Sequence, residues 1–267
     1  MKLIFLLSIF LVFNKHASCQ QKVDSLLKYC YQVEGYNRDK NNIPFYAQGS
    51  GFFIRHNSHL FFVTAKHVLA GYDNSYRKVP GAPYLMNIIL HDASGKLINA
   101  TVDINVKNFQ DSVKASNFRG DPDLAFFEIT NERNKPIYSI ESLLPGHVPD
   151  KFDSLKIIGF PTVVQKDSIT GKHILKSAST FRVTNYSVYR DSKYLESGII
   201  KTDNINYVIQ ANDISVNHNL KGYSGSPVFI KDGNLKRYVF SGLLIAADEE
   251  HHYMFILTPK TIKDYLP

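Results

Sequence analysis

Short β-prone runs separated by turn residues recur along this chain with little helical periodicity between them, and that rhythm narrows the fold more than any other feature. Gly51–Ile54 and Leu60–Thr64 read as strands joined by a polar turn at His56–His59. Asn87–His91 and Lys96–Ile104 repeat the pattern around Asp92-Ala93-Ser94-Gly95, and Leu124–Ile129 is a compact apolar strand. A polar stretch with two prolines, about Asn131 to Asp150, interrupts the rhythm and reads as a connection between lobes. Strands resume at Leu155–Ile158, Phe181–Tyr189, Tyr207–Gln210, Val228–Ile230, Val239–Ile245 and Tyr253–Leu257. A helix is expected only at the end. Thr258 suits an N-cap, Pro259 the first helical position, and Ile262 and Leu266 share a face. The outcome is an all-β barrel or sandwich, between which strand count does not choose.

A chain of 267 residues, 44% hydrophobic and 21% charged, buries a substantial core as one compact domain or two small lobes. The net charge of +7 comes from Lys and Arg scattered along the sequence without a dense basic block. That pattern reads as a solvated surface and argues against a nucleic-acid partner.

Lys2 precedes an apolar run from Leu3 to Phe13, too short for a bilayer span and suited to a signal peptide over residues 1–19. Cleavage after Cys19 would leave Gln20 as the new N-terminus. The rival reading makes Cys19 a lipid anchor, but His16 stands where a lipobox prefers an aliphatic residue. The expectation is an exported protein, periplasmic or extracellular, with no later membrane span. Losing Cys19 leaves Cys30 alone, so no internal disulfide is expected.

Three segments carry candidate chemistry. In Thr64-Ala65-Lys66-His67-Val68, a histidine follows the end of a strand. In Asp121-Pro122-Asp123-Leu124-Ala125, an acid leads straight into one. In Gly222-Tyr223-Ser224-Gly225-Ser226-Pro227, small residues make a turn before a strand. Each alone has an ordinary structural explanation: a buried histidine, a turn aspartate, a glycine-rich turn. Together they supply a hydroxyl nucleophile, a base, and an acid to hold the imidazole. The backbone N–H groups of Gly222 and Ser224 are placed to meet an oxyanion. The order His, Asp, Ser is neither the subtilisin nor the α/β-hydrolase order.

In these motifs the sequence resembles the trypsin-like (chymotrypsin-fold) serine proteases, in particular bacterial members without disulfides similar to the glutamyl endopeptidases. Gly49-Ser50-Gly51-Phe52 and Ile158-Gly159-Phe160-Pro161 resemble further landmarks of that family. The resemblance implies two six-stranded antiparallel β-barrels with a C-terminal helix. The peptidase domain would span residues 46–266, with the first barrel at about 46–135, the second at about 150–258 and the helix at 259–266. Residues 20–45 are left as either a pro-segment or a first strand.

The same resemblance makes His67, Asp123 and Ser224 the catalytic triad, with Asp121 the rival acid and Ser226 a turn residue beside the nucleophile. It sets the floor of the substrate pocket at His218 and one wall at Leu243-Leu244-Ile245-Ala246-Ala247. Glutamyl-specific relatives carry a histidine roughly where Leu244 stands, so that specificity is not clearly inherited. Tyr223 departs from the aspartate that digestive members pair with a freed N-terminus, so that zymogen switch is absent.

The implied activity is that of a serine endopeptidase acting on protein or peptide substrates. A catalytically silent relative that binds a protein partner in the same cleft is the competing reading. His251 and His252 are adjacent and make a poor metal pair, and no phosphate loop, CxxC pair or zinc motif occurs. No metal or cofactor is expected.

Overall fold

The computed structural model describes residues 24–38, 44–70, 87–98, 102–104, 123–132, 137–141, 153–161, 178–189, 207–212, 220–232, 237–248, 250 and 252–267. Within these, residues 35–38, 44–47, 70, 87–88, 102–104, 130–132 and 232 are described by their backbone alone. The expected signal peptide, Asp121, His218 and His251 lie outside the described residues.

The described residues form two sheets, each curled into a half-barrel, and the fold is chymotrypsin-like. The first sheet contains β1 (Tyr31–Arg38), β2 (Pro44–His56), β3 (His59–Thr64), β4 (Asn87–His91), β5 (Val102–Ile104), β6 (Ala125–Glu132) and β7 (Ser139–Ile140). Its order is β4-β1-β2-β3-β6-β5, with the short β7 set parallel against β2. The second sheet contains β8 (Leu155–Gly159), β9 (Ser179–Val183), β10 (Tyr186–Tyr189), β11 (Tyr207–Ala211), β12 (Pro227–Asp232), β13 (Arg237–Asp248) and β14 (Tyr253–Leu257). It runs β10-β11-β14-β13-β12-β8-β9, antiparallel throughout. A short helix α1 (Lys66–Ala70) follows β3, and α2 (Pro259–Tyr265) closes the chain.

Several elements differ from the sequence reading. Of the two alternatives left for residues 20–45, the described part agrees with the first strand: it contributes β1, paired between β2 and β4, so the first sheet begins ahead of residue 46. The run Phe181–Tyr189 is two strands, β9 and β10, broken by a bend at Thr184-Asn185. Within Lys96–Ile104, Leu97 makes an isolated bridge to His91, and among the described residues the strand of this span is β5. The stretch 131–150 begins with the end of β6 and contains β7.

Strands such as β3 and β14 are apolar on both faces because each face is covered. In β3, Leu60 and Phe62 enter the core of the first sheet, while Phe61 and Val63 face a central cluster between the sheets. In β14, Met254 and Ile256 fill the second core, and Phe255 and Leu257 join the same central cluster. This is the two-residue alternation of a strand sandwiched between two packed layers. Each fully buried large side chain contributes about 1.5–3 kcal/mol, so the central cluster holds the two sheets together without a disulfide.

Helix α2 seals that cluster with Ile262, joined by Leu266 just after its end, and Thr258 caps it by accepting the Thr261 N–H at 3.3 Å. Cys30 is fully buried in the same cluster, and burial pushes its thiol far above the usual range. Among the described residues no helix is long and apolar enough to cross a membrane.

Candidate active site between the two sheets

The end of β3 places the histidine. Thr64 is the last paired residue, and the chain then turns into α1 with His67 in its first turn. Asp123 stands at the entrance of β6, the neighbour of β3. Its carboxylate grips His67 twice. Oδ1 accepts the His67 backbone N–H at 2.9 Å, and Oδ2 lies 2.6 Å from Nδ1. The Lys66 N–H in turn donates to the Asp123 carbonyl at 3.3 Å.

Asp123 is 8% exposed, whereas the His67 side chain keeps 23% of its surface. With Nδ1–H committed to a carboxylate, the other ring nitrogen is left as the acceptor. Burial disfavours the charged ring, but the charge of Asp123 and its hydrogen bond outweigh this, so His67 titrates above the ordinary histidine value.

The serine turn comes from the other sheet. It runs from Leu220 into β12 and is bent by Gly222 at φ +91° and Gly225 at φ +88°, values that side chains with a Cβ rarely adopt. Gly225 also lies hard against the first sheet. A Cβ there would stand 1.9 Å from the Ser50 carbonyl oxygen and 2.4 Å from Thr64 Oγ1. Thr64 Oγ1 donates to that same carbonyl at 2.6 Å. A Cβ added at Gly49 would meet Val68 at 2.7 Å and the Ser224 carbonyl at 3.0 Å. The residue after His67 and the backbone of Ser224 therefore converge on one glycine of β2.

Hydrogen bonding within the turn is selective. Tyr223 N–H donates to the Leu220 carbonyl, Gly225 N–H to the Leu244 carbonyl and Ser226 N–H to the Tyr223 carbonyl. The Ser224 carbonyl accepts from Ser50 N–H at 2.9 Å, and the Gly222 carbonyl from Ser50 Oγ at 2.8 Å. Among the described residues, the N–H groups of Gly222 and Ser224 donate to no protein acceptor. Two backbone donors on a partly exposed turn are thus left over beside a serine hydroxyl.

Ser226 is fully buried and its Oγ has no partner among the described residues, while Ser224 is partly exposed. Tyr223 points into the second core, 5% exposed, with its hydroxyl 2.5 Å from Ser179 Oγ. Burial raises its phenol above the ordinary value, and the Ser179 bond opposes this only in part.

The expected pocket wall is less open than its sequence suggests. Leu244 packs in the second core, and Leu243 and Ile245 in the central cluster, all nearly inaccessible. Ala246, Ala247 and Asp248 keep some exposure where β13 bulges between Leu244 and Ala246. Among the described residues no group of three or more His, Cys, Asp or Glu is placed to hold a metal. Sequence reasoning gave no role to Ser50, Thr64 or Ser179. The first figured there only as a member of the Gly49-Ser50-Gly51-Phe52 landmark.

No family model matches the chain, and no curated protein matches it either. Among solved structures, it is similar to the scabies mite inactivated protease paralogue S-I1, with a TM-score of 0.53 over 88% of this chain and 91% of that one. The two are 13% identical, so the likeness concerns the fold.

Proposed function

We propose that this chain is an exported serine endopeptidase of the trypsin-like kind, similar to the disulfide-free bacterial glutamyl endopeptidases in its motifs. The observation that carries the reading is the double grip of Asp123 on His67, set beside a serine turn whose Gly222 and Ser224 N–H groups are unused. In this reading His67 Nε2 takes the Ser224 hydroxyl proton as Oγ attacks the scissile carbonyl carbon. Asp123 holds the ring and stabilises its charged form. The developing oxyanion is met by the N–H groups of Gly222 and Ser224. The proton passes to the leaving amine, and water then cleaves the acyl-enzyme by the same route in reverse.

The rival, a silent binding module on the same fold, would have no need of this arrangement. The inactivation named for the scabies mite paralogue belongs to that protein. What supports the enzyme is that Asp123 holds His67 and that the Ser224 backbone and Val68, the residue after His67, both lie against Gly49.

The side chain accepted before the scissile bond is proposed to be apolar. The wall offers Ala246 and Ala247, and the residue expected at the floor is His218 rather than a carboxylate; among the described residues the acid nearest this wall is Asp248, at the end of β13. Burying a Lys or Arg unpaired would be costly. Full burial of Leu, Phe or Tyr contributes about 1.5–3 kcal/mol, roughly a 10- to 150-fold preference in kcat/KM.

A fluorogenic peptide library, cleaved by purified protein, tests the whole reading. Cleavage after Leu, Phe or Tyr that disappears in Ser224→Ala and persists in Ser226→Ala is the expected result. A preference for Arg or Lys would overturn the apolar pocket. Activity that survives Ser224→Ala would overturn the triad.

A further inference from the structure

In the trypsin-like reading, Tyr223 occupies the position where digestive relatives use a charged side chain to set the oxyanion turn. The structure supplies uncharged anchors in its place. We propose that Ser50 and Tyr223 are positioning residues that lock the oxyanion turn permanently in its working shape, one from each sheet. This inference rests on the proposed peptidase function.

Ser50 acts from the first sheet. It is fully buried on β2, and its hydroxyl has both roles filled. Oγ donates to the Gly222 carbonyl at 2.8 Å and accepts the Phe160 N–H at 3.0 Å. Its backbone N–H holds the Ser224 carbonyl at 2.9 Å. One residue therefore takes the carbonyls of both residues whose N–H groups would form the oxyanion site. Rotating the hydroxyl of the fully buried Ser50 away from Gly222 would leave its proton without this acceptor, so the bond is strongly held.

Tyr223 acts from the second sheet. Its ring packs edge-on to Phe181 at 6.4 Å between centroids, and its hydroxyl meets Ser179 Oγ on β9 at 2.5 Å. The space for the ring is made by Gly159 at the end of β8, where a Cβ would stand 2.4 Å from Tyr223 Cδ1. Tyr223 lies between Gly222 and Ser224 in sequence, so fixing its side chain fixes the peptide planes on either side. Neither anchor uses a charge or a chain terminus. The turn is set when the chain folds, without a cleavage event.

Steady-state kinetics on Ser50→Ala, Tyr223→Phe, Ser179→Ala and the Tyr223→Phe/Ser179→Ala double variant test this, with rates expressed per folded molecule. Loss of one oxyanion donor typically lowers kcat 10²- to 10³-fold, and a loosened site should lose part of that, about 10- to 100-fold. The expected result is such a fall in kcat, with KM within about twofold, for Ser50→Ala, Tyr223→Phe and Ser179→Ala alike. The double variant should be no slower than either of its parents, because both remove one bond. Tyr265→Phe, at an exposed tyrosine of α2, is the control and keeps the wild-type kcat.

Should Ser50→Ala fail to fold, the Tyr223 and Ser179 variants decide the matter. Variants that melt earlier but keep the wild-type kcat would overturn the positioning role and leave the peptidase reading standing. A wild type that turns over no peptide would overturn both.

Discussion

The bond between Asp123 and His67 has consequences at the scale of single residues that a titration can read. In the proposed mechanism His67 must be neutral to accept a proton, and its value is raised because the charge and hydrogen bond of Asp123 outweigh burial. Activity should therefore fall on the acid side at a pH above the ordinary histidine value of 6.5. Asp123→Asn removes both raising causes. The acid limb should shift downward while kcat drops by roughly two to four powers of ten. The pH profile of kcat/KM for the two proteins checks this, and an acid limb that does not move would detach His67 from the reaction. For stability the sign is opposite in sense. A raised value means the His67⁺–Asp123⁻ contribution is complete below the unfolded value and is lost as pH rises through the folded one.

At the scale of elements, the serine turn works because glycine lets it touch the neighbouring sheet. Gly225 has φ +88° and no room for a Cβ against Ser50 and Thr64. Gly225→Ala should lose at least about 1–3 kcal/mol from the backbone conformation alone. It should also push the turn off β2 and abolish peptide cleavage. Thermal melts with activity assays check it, and a variant of normal melting point and activity would show that the contact is not required.

This element also shows what the sequence revealed and what it hid. The histidine, aspartate and serine motifs were legible because each combines a fixed residue type with a strand boundary. Ser50 was hidden because its role depends on partners far along the chain, Gly222 and Phe160. Strand β1 was ambiguous for a physical reason. Gln32 is buried at 1% exposure on a strand otherwise marked by few apolar residues, so alternation gave a weak signal. The break between β9 and β10 was masked by β-prone residues on both sides of Thr184-Asn185.

Across the whole molecule, the two sheets are joined by their shared central cluster and by the segment ahead of β1. Asp24 binds the second sheet, its carboxylate accepting from Lys156 on β8 and from Thr180 Oγ1 on β9 at 3.3 Å. The helical turn Leu27–Tyr29 follows, with Tyr29 against Phe229, and the chain then enters the first sheet as β1. The segment is thus a strap across the two lobes.

The Asp24–Lys156 pair is partly buried, with 18% exposure on each side chain. Asp24→Asn should cost about 1 kcal/mol, or roughly 2–4 °C in Tm, with kcat unchanged below the transition. Calorimetry checks the value, and an unaltered Tm would mean that the pair does not help to hold the lobes.

The expectations about activity depend on Ser224 being an activated nucleophile, which one measurement addresses directly. The purified protein is incubated with a fluorophosphonate probe, and the modified residue is located by peptide mass mapping. The account predicts one adduct per molecule, on Ser224, absent from Ser224→Ala and formed far more slowly in His67→Ala. A folded protein left unlabelled, or labelled elsewhere than Ser224, would contradict it.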